Sequence, residues 1–413
     1  MILDFLYNIV IYIAGFLLKL IALFNRKIKL GEDGRSKTFK ILKENIAKDD
    51  NVFWFHCASL GEFEQGLPVF KVLRERYRTY KIVLTFFSPS GYEIRKNTNV
   101  ADIVVYLPLD TKHHAKTFLD ITKPKFTVFV KYDIWPNYLN ELKKRNLNAI
   151  LISASFRNSQ SYFKWYGSIF RKALTAFEHI FVQNEPSKIL LESIKIKNVT
   201  ISGDTRYDRV SQQLEIDNHL DFITEFKQDK TCMVIGSSWP EDEALLVPYI
   251  NENLSNDVKY IIAPHNIKTN QIENLKNNMK SKTILYSEKE NQDLSEFSVI
   301  IIDTIGLLSK IYSYADLAYV GGGMGTKGLH NILEPAVFGV PIIIGKNYQK
   351  FPEAVQMIDE AGVKSIRNFN ELKQALDTLF ENINERKRLG GLNKTFVERN
   401  KGAISIITEH IKV

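Results

Sequence analysis

Short apolar, β-branched or aromatic runs alternate with helical segments along nearly the whole chain, and this alternation limits the fold more than any other feature. In the first half the runs are Val52–Phe55, Ile82–Phe86, Ile103–Leu107, Phe126–Val130, Ala149–Ile152 and Ile180–Val182. In the second they are Cys232–Ile235, Tyr260–Ala263, Val299–Ile302, Leu317–Val320 and Ile342–Ile344. Strand signals separated by helices predict a parallel sheet covered on both faces, with ligands at the carboxyl ends of the strands. Two such series predict two Rossmann-like domains, over 31–210 and 211–413. The chain has 413 residues, 45% hydrophobic and 25% charged, which is enough for two cores. The polar segment Asp208–Asp229 reads as the linker region, and the basic stretch from about Glu385 as a final helix reaching back to the first domain.

The segment 1–30 stands apart. Ile2 to Phe24 is almost wholly apolar, only Asp4 and Lys19 are charged, and Arg26, Lys27 and Lys29 follow directly. The charge-free run Phe5–Leu18 is shorter than the roughly 20 residues that a spanning helix needs. No small-residue cleavage site follows it, so it reads as a membrane anchor, shallow or marginally spanning, and not as a signal peptide. The basic residues behind it suit anionic headgroups and keep the remainder on the cytoplasmic side. A buried amphipathic helix is the competing reading, since Tyr7, Asn8 and Tyr12 temper the hydrophobicity.

A net charge of +8 points to an anionic partner: nucleic acid, membrane surface or a phosphorylated substrate. Cys57 and Cys232, the two cysteines, lie in strand-like surroundings in different halves and imply no disulfide framework. None of the eight histidines has the helical spacing of a zinc site, and no metal is expected.

Chemistry concentrates between Asp316 and Ile344. A strand-like run stops at Gly321-Gly322-Gly323, where residues without Cβ let backbone amides approach a ligand. After Gly325 and Gly328 comes His330-Asn331-Ile332-Leu333-Glu334-Pro335, read as a helix start with Asn331 as N-cap. A helix N-terminus suits a phosphate, and Glu334 suits ribose hydroxyls. Gly236-Ser237-Ser238-Trp239 offers hydroxyls, amides and a second helix start. In the first half, His56-Cys57-Ala58-Ser59-Leu60-Gly61-Glu62 follows the first strand. Two readings of Glu62 stand: a helix cap, or a general base.

Gly-Gly, a variable loop, Gly-x-His-Asn-x-x-Glu and a later Gly-x-Pro resemble the donor signature of GT-B sugar-nucleotide glycosyltransferases. The resemblance is closest to bacterial transferases of 3-deoxy-D-manno-octulosonic acid (Kdo). It extends through His-x-x-Ser-x-Gly-Glu at 56–62, Trp135-Pro136-Asn137, Gln183-Asn184-Glu185 and Ser202-Gly203-Asp204-Thr205-Arg206-Tyr207-Asp208. It implies a GT-B fold with a cleft between two Rossmann-like domains, and an enzyme without a cofactor. That enzyme moves Kdo with inversion from a CMP-Kdo donor to the 6′-hydroxyl of a lipid A precursor, lipid IVA, at the cytoplasmic face of the inner membrane, with no nucleic acid as partner.

The resemblance makes Glu62 the catalytic base and puts Arg206 beside the leaving phosphate. It places CMP on Pro264, His265, Ile305, Gly306, Leu307, the glycine loop with Gly322 and Gly323, and the segment Asn331, Ile332, Leu333 and Glu334. Lys131-Tyr132-Asp133 departs from the family's Glu-Thr-Glu, so a cation stands where a carboxylate is usual. On a persisting strand Lys131 and Asp133 would share a face, and both are expected in the site. A transferase using a UDP-sugar, or a non-catalytic protein binding anionic lipid or nucleotide, are the alternative readings.

Overall fold

A computed structural model describes residues 2–253 and 257–412. Two compact units result, Met1–Asp208 with Gly402–Val413, and Arg209–Lys401. Among the described residues each unit holds a seven-stranded parallel sheet.

In the first unit the strands are β1 (Val52–Cys57), β2 (Lys81–Phe86), β3 (Ile103–Tyr106), β4 (Phe126–Val130), β5 (Asn148–Ala154), β6 (His179–Val182) and β7 (Val199–Ile201). Their order is β3-β2-β1-β4-β5-β6-β7. All six residues of β1 are buried, as a strand covered on both faces requires. Alternate side chains serve opposite cores: Trp54 packs with Val83, Phe129 and Tyr138, while Phe53 and Phe55 pack with Phe70 and Ile82 on the other face. Chain order reverses between β1 and β4, which makes their carboxyl ends the switch point where ligands bind in such sheets.

The second unit repeats the design with β8 (Thr231–Ser238), β9 (Val258–Pro264), β10 (Thr283–Leu285), β11 (Val299–Ile301), β12 (Leu317–Val320), β13 (Ile342–Gly345) and β14 (Val363–Ile366). The order is β10-β11-β9-β8-β12-β13-β14, with the reversal between β8 and β12. The stretch read as a linker is ordered: the helix Asp221–Lys227 lies within it, and the division falls inside the helix Thr205–Ser211. The basic helix Ile383–Asn400 stays in the second unit. Only Ala403–His410 returns to the first, after a turn at Gly402 (φ +115°), where Asp208 accepts the amides of Gly402 and Ala403.

The chain opens with the helix Ile2–Ala22, followed by the helix Arg26–Asn45, whose N-terminus is capped by Asn25. The first is long and apolar enough to cross a membrane by length and composition. One stripe of it is nevertheless docked. Tyr7 donates to Asp110, Asn137 donates to Asn8, and Gly15 lies so close to Leu109 that a Cβ would stand 2.8 Å from its Cδ1. The other faces carry exposed Phe5, Val10, Ile13, Phe16 and Leu20. Both readings of this segment thus describe part of it.

Candidate functional site

In the first unit β1 ends at Cys57 and the next helix, Leu60–Arg76, begins with Ser59 as N-cap. Glu62 closes a capping box: its Oε2 accepts the Ser59 amide at 2.7 Å and the Ser59 hydroxyl at 3.0 Å. Oε1 accepts no hydrogen bond among the described residues. The side chain is 9% exposed. Burial, and next the charge of Asp133, raise the Glu62 carboxyl above its ordinary range, while Ser59 and His56 pull the other way. The cap and an open, basic oxygen therefore coexist on one carboxylate.

A chain of hydrogen bonds runs across the same sheet end. Trp54 Nε1 donates to Thr85 Oγ1 at 2.8 Å, Thr85 Oγ1 is 2.8 Å from His56 Nδ1, and His56 Nε2 is 2.7 Å from Asp133 Oδ2. Trp135 Nε1 also donates to Asp133 Oδ2, at 2.7 Å. Every donor is used if Thr85 gives its proton to Nδ1 and His56 carries its own on Nε2 toward Asp133. Sequence reading passed over His56 as part of this constellation, although both it and Trp135 lie inside quoted motifs.

Lys131 and Asp133 do not share a strand face. β4 stops at Val130, and Lys131 has φ +71°, so the alternation expected of an extended strand ends there. Lys131 is half-buried, and burial lowers its ammonium below the ordinary range, with Glu62 opposing. Asp204 and the cations Arg206 and Arg157 contribute further to its field. Arg206 is bound by Asp204, whose Oδ2 accepts Nε at 2.9 Å and Nη2 at 2.8 Å. The expected cation is thus present as half of an ion pair. Glu62, Lys131, Asp133 and Arg206 all follow carboxyl ends of strands in this sheet.

In the second unit, Ser237, Pro264 with His265, Ile305-Gly306-Leu307, and Gly322 with Gly323 stand at the carboxyl ends of β8, β9, β11 and β12, four neighbouring strands. Ser237 has φ +53° at the irregularity in β8, and Ile305 is 86% exposed in a turn where Gly306 has φ +92°. The glycine loop differs from its sequence reading. The Gly322 amide is given to Asp242 Oδ2 at 2.8 Å and not presented outward. A Cβ on Gly321 would lie 2.3 Å from Ser237 O, and one on Gly322, with φ +90°, 2.1 Å from Gly328 O. These glycines are required by close packing within the protein.

Asp242, in the first turn of the helix that follows Ser237-Ser238-Trp239, organises this region, and its sequence context does not announce that role. Fully buried, it accepts Trp239 N, Gly322 N and Met324 N, together with the Tyr319 hydroxyl. Beside it Trp239, His265 and His330 form an aromatic stack with ring centroids 4.5 Å and 4.4 Å apart, and burial lowers His330 to about 4.

The helix expected from Asn331 spans only Leu333–Val337, so its dipole is small. Ile332 takes the cap position, and the Asn331 carboxamide, one residue earlier, accepts the Leu333 amide at 3.2 Å and donates to Glu334 Oε1 at 3.1 Å. Glu334 Oε2 accepts Ser309 Oγ at 3.2 Å. Among the described residues no group of three His, Cys, Asp or Glu side chains converges to hold a metal.

Two parallel α/β units of this kind are the GT-B fold. Solved structures with the same fold include UDP-GlcNAc 2-epimerase from Neisseria meningitidis (TM-score 0.61, 17% identity, 87% of this chain and 98% of that one). MurG from Acinetobacter baumannii is another (TM-score 0.55, 11% identity, 87% and 99%). Residues 33–209 match the family model described as 3-Deoxy-D-manno-octulosonic-acid transferase (kdotransferase).

The 3-deoxy-D-manno-octulosonic acid transferase of Haemophilus influenzae is 28% identical over 87% of this chain and 86% of its own length. That of Chlamydophila psittaci is 26% identical over 91% and 88%. A bifunctional glycosyltransferase/methyltransferase of Fusobacterium nucleatum is 28% identical over 90% of this chain, which spans 60% of that longer relative. Over most of its length the chain is thus similar to Kdo transferases, and its residues 33–209 match their family model.

Proposed function

We propose that the protein transfers Kdo from CMP-Kdo to the 6′-hydroxyl of lipid IVA, with inversion at the anomeric carbon, in the building of lipopolysaccharide. The observation that carries this reading is the open Oε1 of Glu62, buried, raised in pKa and held by Ser59. The acceptor hydroxyl gives its proton to Oε1 as its oxygen bonds to the anomeric carbon. The bond from that carbon to the phosphate oxygen breaks, and CMP leaves with the electron pair.

Lys131 and Arg206 supply positive charge toward the Kdo carboxylate and the departing phosphate, and Asp133 is held by His56 and Trp135 so that its field acts on Glu62. The first unit, residues 31–208 with the returning helix Ala403–His410, serves as the acceptor domain, and the second, 209–401, as the donor domain. In the donor domain CMP lies against Ser237, Pro264, His265, the turn at Ile305-Gly306-Leu307, Gly322, Gly323 and the segment from Asn331 through Ile332 and Leu333 to Glu334. The glycine loop contributes close approach, and Glu334 with Asn331 contributes the polar contacts. The apolar first helix associates with the cytoplasmic face of the inner membrane, where such a lipid is found.

Competition decides the donor. CMP should inhibit transfer with an affinity well above that of UMP. Stronger inhibition by UMP, or turnover with a UDP-sugar alone, would replace the reading.

A further inference from the structure

A cavity of about 840 Å³ opens between the helices Ile2–Ala22 and Arg26–Asn45 and the loop after β3. Its volume lies in the upper range of small-molecule sites. Ile11, Phe16, Leu23, Phe39 and Leu109 make its walls largely apolar. Phe16 on the first helix and Leu23 in the turn just after it are also exposed, so the cavity is continuous with the surface that would meet a membrane.

The charges are arranged unevenly. Arg35, inside, is paired to Glu32 at 2.7 Å, and both are nearly covered. Lys19 and Lys29 at the exposed mouth make no ion pair among the described residues, and Asp33 opposes them alone, which leaves a net positive rim. An apolar interior behind a cationic rim fits an acyl chain joined to a phosphorylated head.

The cavity also adjoins the catalytic edge of the sheet. Pro108 and Leu109 follow the carboxyl end of β3, the same sheet edge on which Glu62 follows β1. Arg35 donates to Phe87 O at 3.2 Å and covers the Phe87 ring, which lies 4.7 Å from Trp135, the residue that holds Asp133.

We propose that this cavity receives an acyl chain of the phosphorylated glycolipid acceptor, with Lys19 and Lys29 pairing with its phosphate. The proposal rests on the transfer reaction above and assigns the part of the chain that recognises the lipid portion of the substrate. His114, which also lines the wall, donates or accepts at Leu109 O, and burial lowers its pKa, so it adds no charge at neutral pH.

The test uses the full chain in detergent without donor, and an acceptor carrying a photoactivatable diazirine in one acyl chain. Labelling should map to residues 11–39 and 108–114 and be displaced by unlabelled acceptor. Ser36→Trp, which fills the cavity from an exposed position, should reduce that labelling. It should also raise the KM for acylated acceptor about tenfold, the effect of losing roughly two buried methylenes, while leaving a deacylated phosphorylated acceptor unchanged. Lys19→Glu with Lys29→Glu, a surface change, should weaken phosphorylated acceptor more than its dephosphorylated form.

Labelling elsewhere overturns the proposal. So does an equal KM rise for the deacylated acceptor, or equal labelling by a diazirine phospholipid that the acceptor does not displace, which would make the occupant a bilayer lipid. If the wild-type protein transfers no Kdo, the reaction reading fails, and the donor-free labelling still reads the cavity.

Discussion

The hydroxyl of Tyr7, on the first helix, donates a 2.7 Å hydrogen bond to the buried carboxylate of Asp110. Asp110 also accepts the amides of Asn137 at 3.0 Å and Tyr138 at 3.1 Å, and burial lifts its pKa to about 6, so it is ionised at neutral pH. The helix that resembles a membrane anchor is therefore tied to the turn that follows Trp135 and Asp133. Tyr7→Phe leaves a buried charge short of one donor and should lower stability by about 1–3 kcal/mol, read from thermal unfolding in detergent. Removing residues 1–20 should both release the protein from membranes and lower its melting temperature. Unchanged melting in both variants would show that the docked stripe contributes nothing.

Asp242→Asn replaces one acceptor oxygen with a donor amide facing N–H groups. Four donors converge on the native carboxylate, two of them from the glycine loop and its neighbour Met324. The variant should lose about 3 kcal/mol or more and bind CMP far more weakly, measured by calorimetric titration beside thermal unfolding. Normal CMP affinity in the variant would remove the glycine loop from the donor site.

The alternation of β1 with its following helices, and of β8 with its own, was legible because strands covered on both faces must be apolar throughout, which leaves long unmistakable runs. The position of Glu62 just past the end of β1 followed from the same rule, and that of Glu334 from the helix start after the glycine loop. What could not be read was the direction of local groups. Nothing in Gly321-Gly322-Gly323 tells whether an amide faces a ligand or a carboxylate eighty residues earlier, and Asp242 looked like an ordinary first-turn acid. The left-handed backbone of Lys131 is equally silent in sequence, since Lys carries no preference for positive φ, and the same-face argument for Lys131 and Asp133 failed on it.

Transfer should show a bell-shaped dependence of kcat/KM on pH. In the proposed reaction Glu62 acts deprotonated, and its raised pKa places the acid limb above the ordinary glutamate range. In the same proposal Lys131 acts protonated, and its lowered pKa places the alkaline limb below the ordinary lysine range. Lys131→Met should move the alkaline limb upward and lower the rate on the neutral plateau. In stability the sign for Glu62 is opposite to that of a salt-bridged acid: a carboxyl that holds its proton more tightly when folded contributes stability at low pH that is lost as pH rises through the folded pKa. Glu62→Gln should therefore be at least as stable as the native protein at neutral pH, measured by denaturant titration.

Asp133→Asn keeps the shape of the constellation and removes the charge that His56 and Trp135 address. The rate should fall at least about tenfold, some 1.4 kcal/mol of barrier, and the acid limb should shift downward because the second cause of the raised Glu62 pKa is gone. A fall in rate without that shift would mean that Asp133 acts only through structure.

Mass spectrometry of the product formed from CMP-Kdo and lipid IVA by the native protein and by Glu62→Gln tests the central claim most directly. The native protein should add the mass of Kdo to the lipid. Glu62→Gln should do so roughly 10² to 10⁴ times more slowly with CMP affinity unchanged. No added mass with the native protein, or near-native turnover by Glu62→Gln, would contradict it.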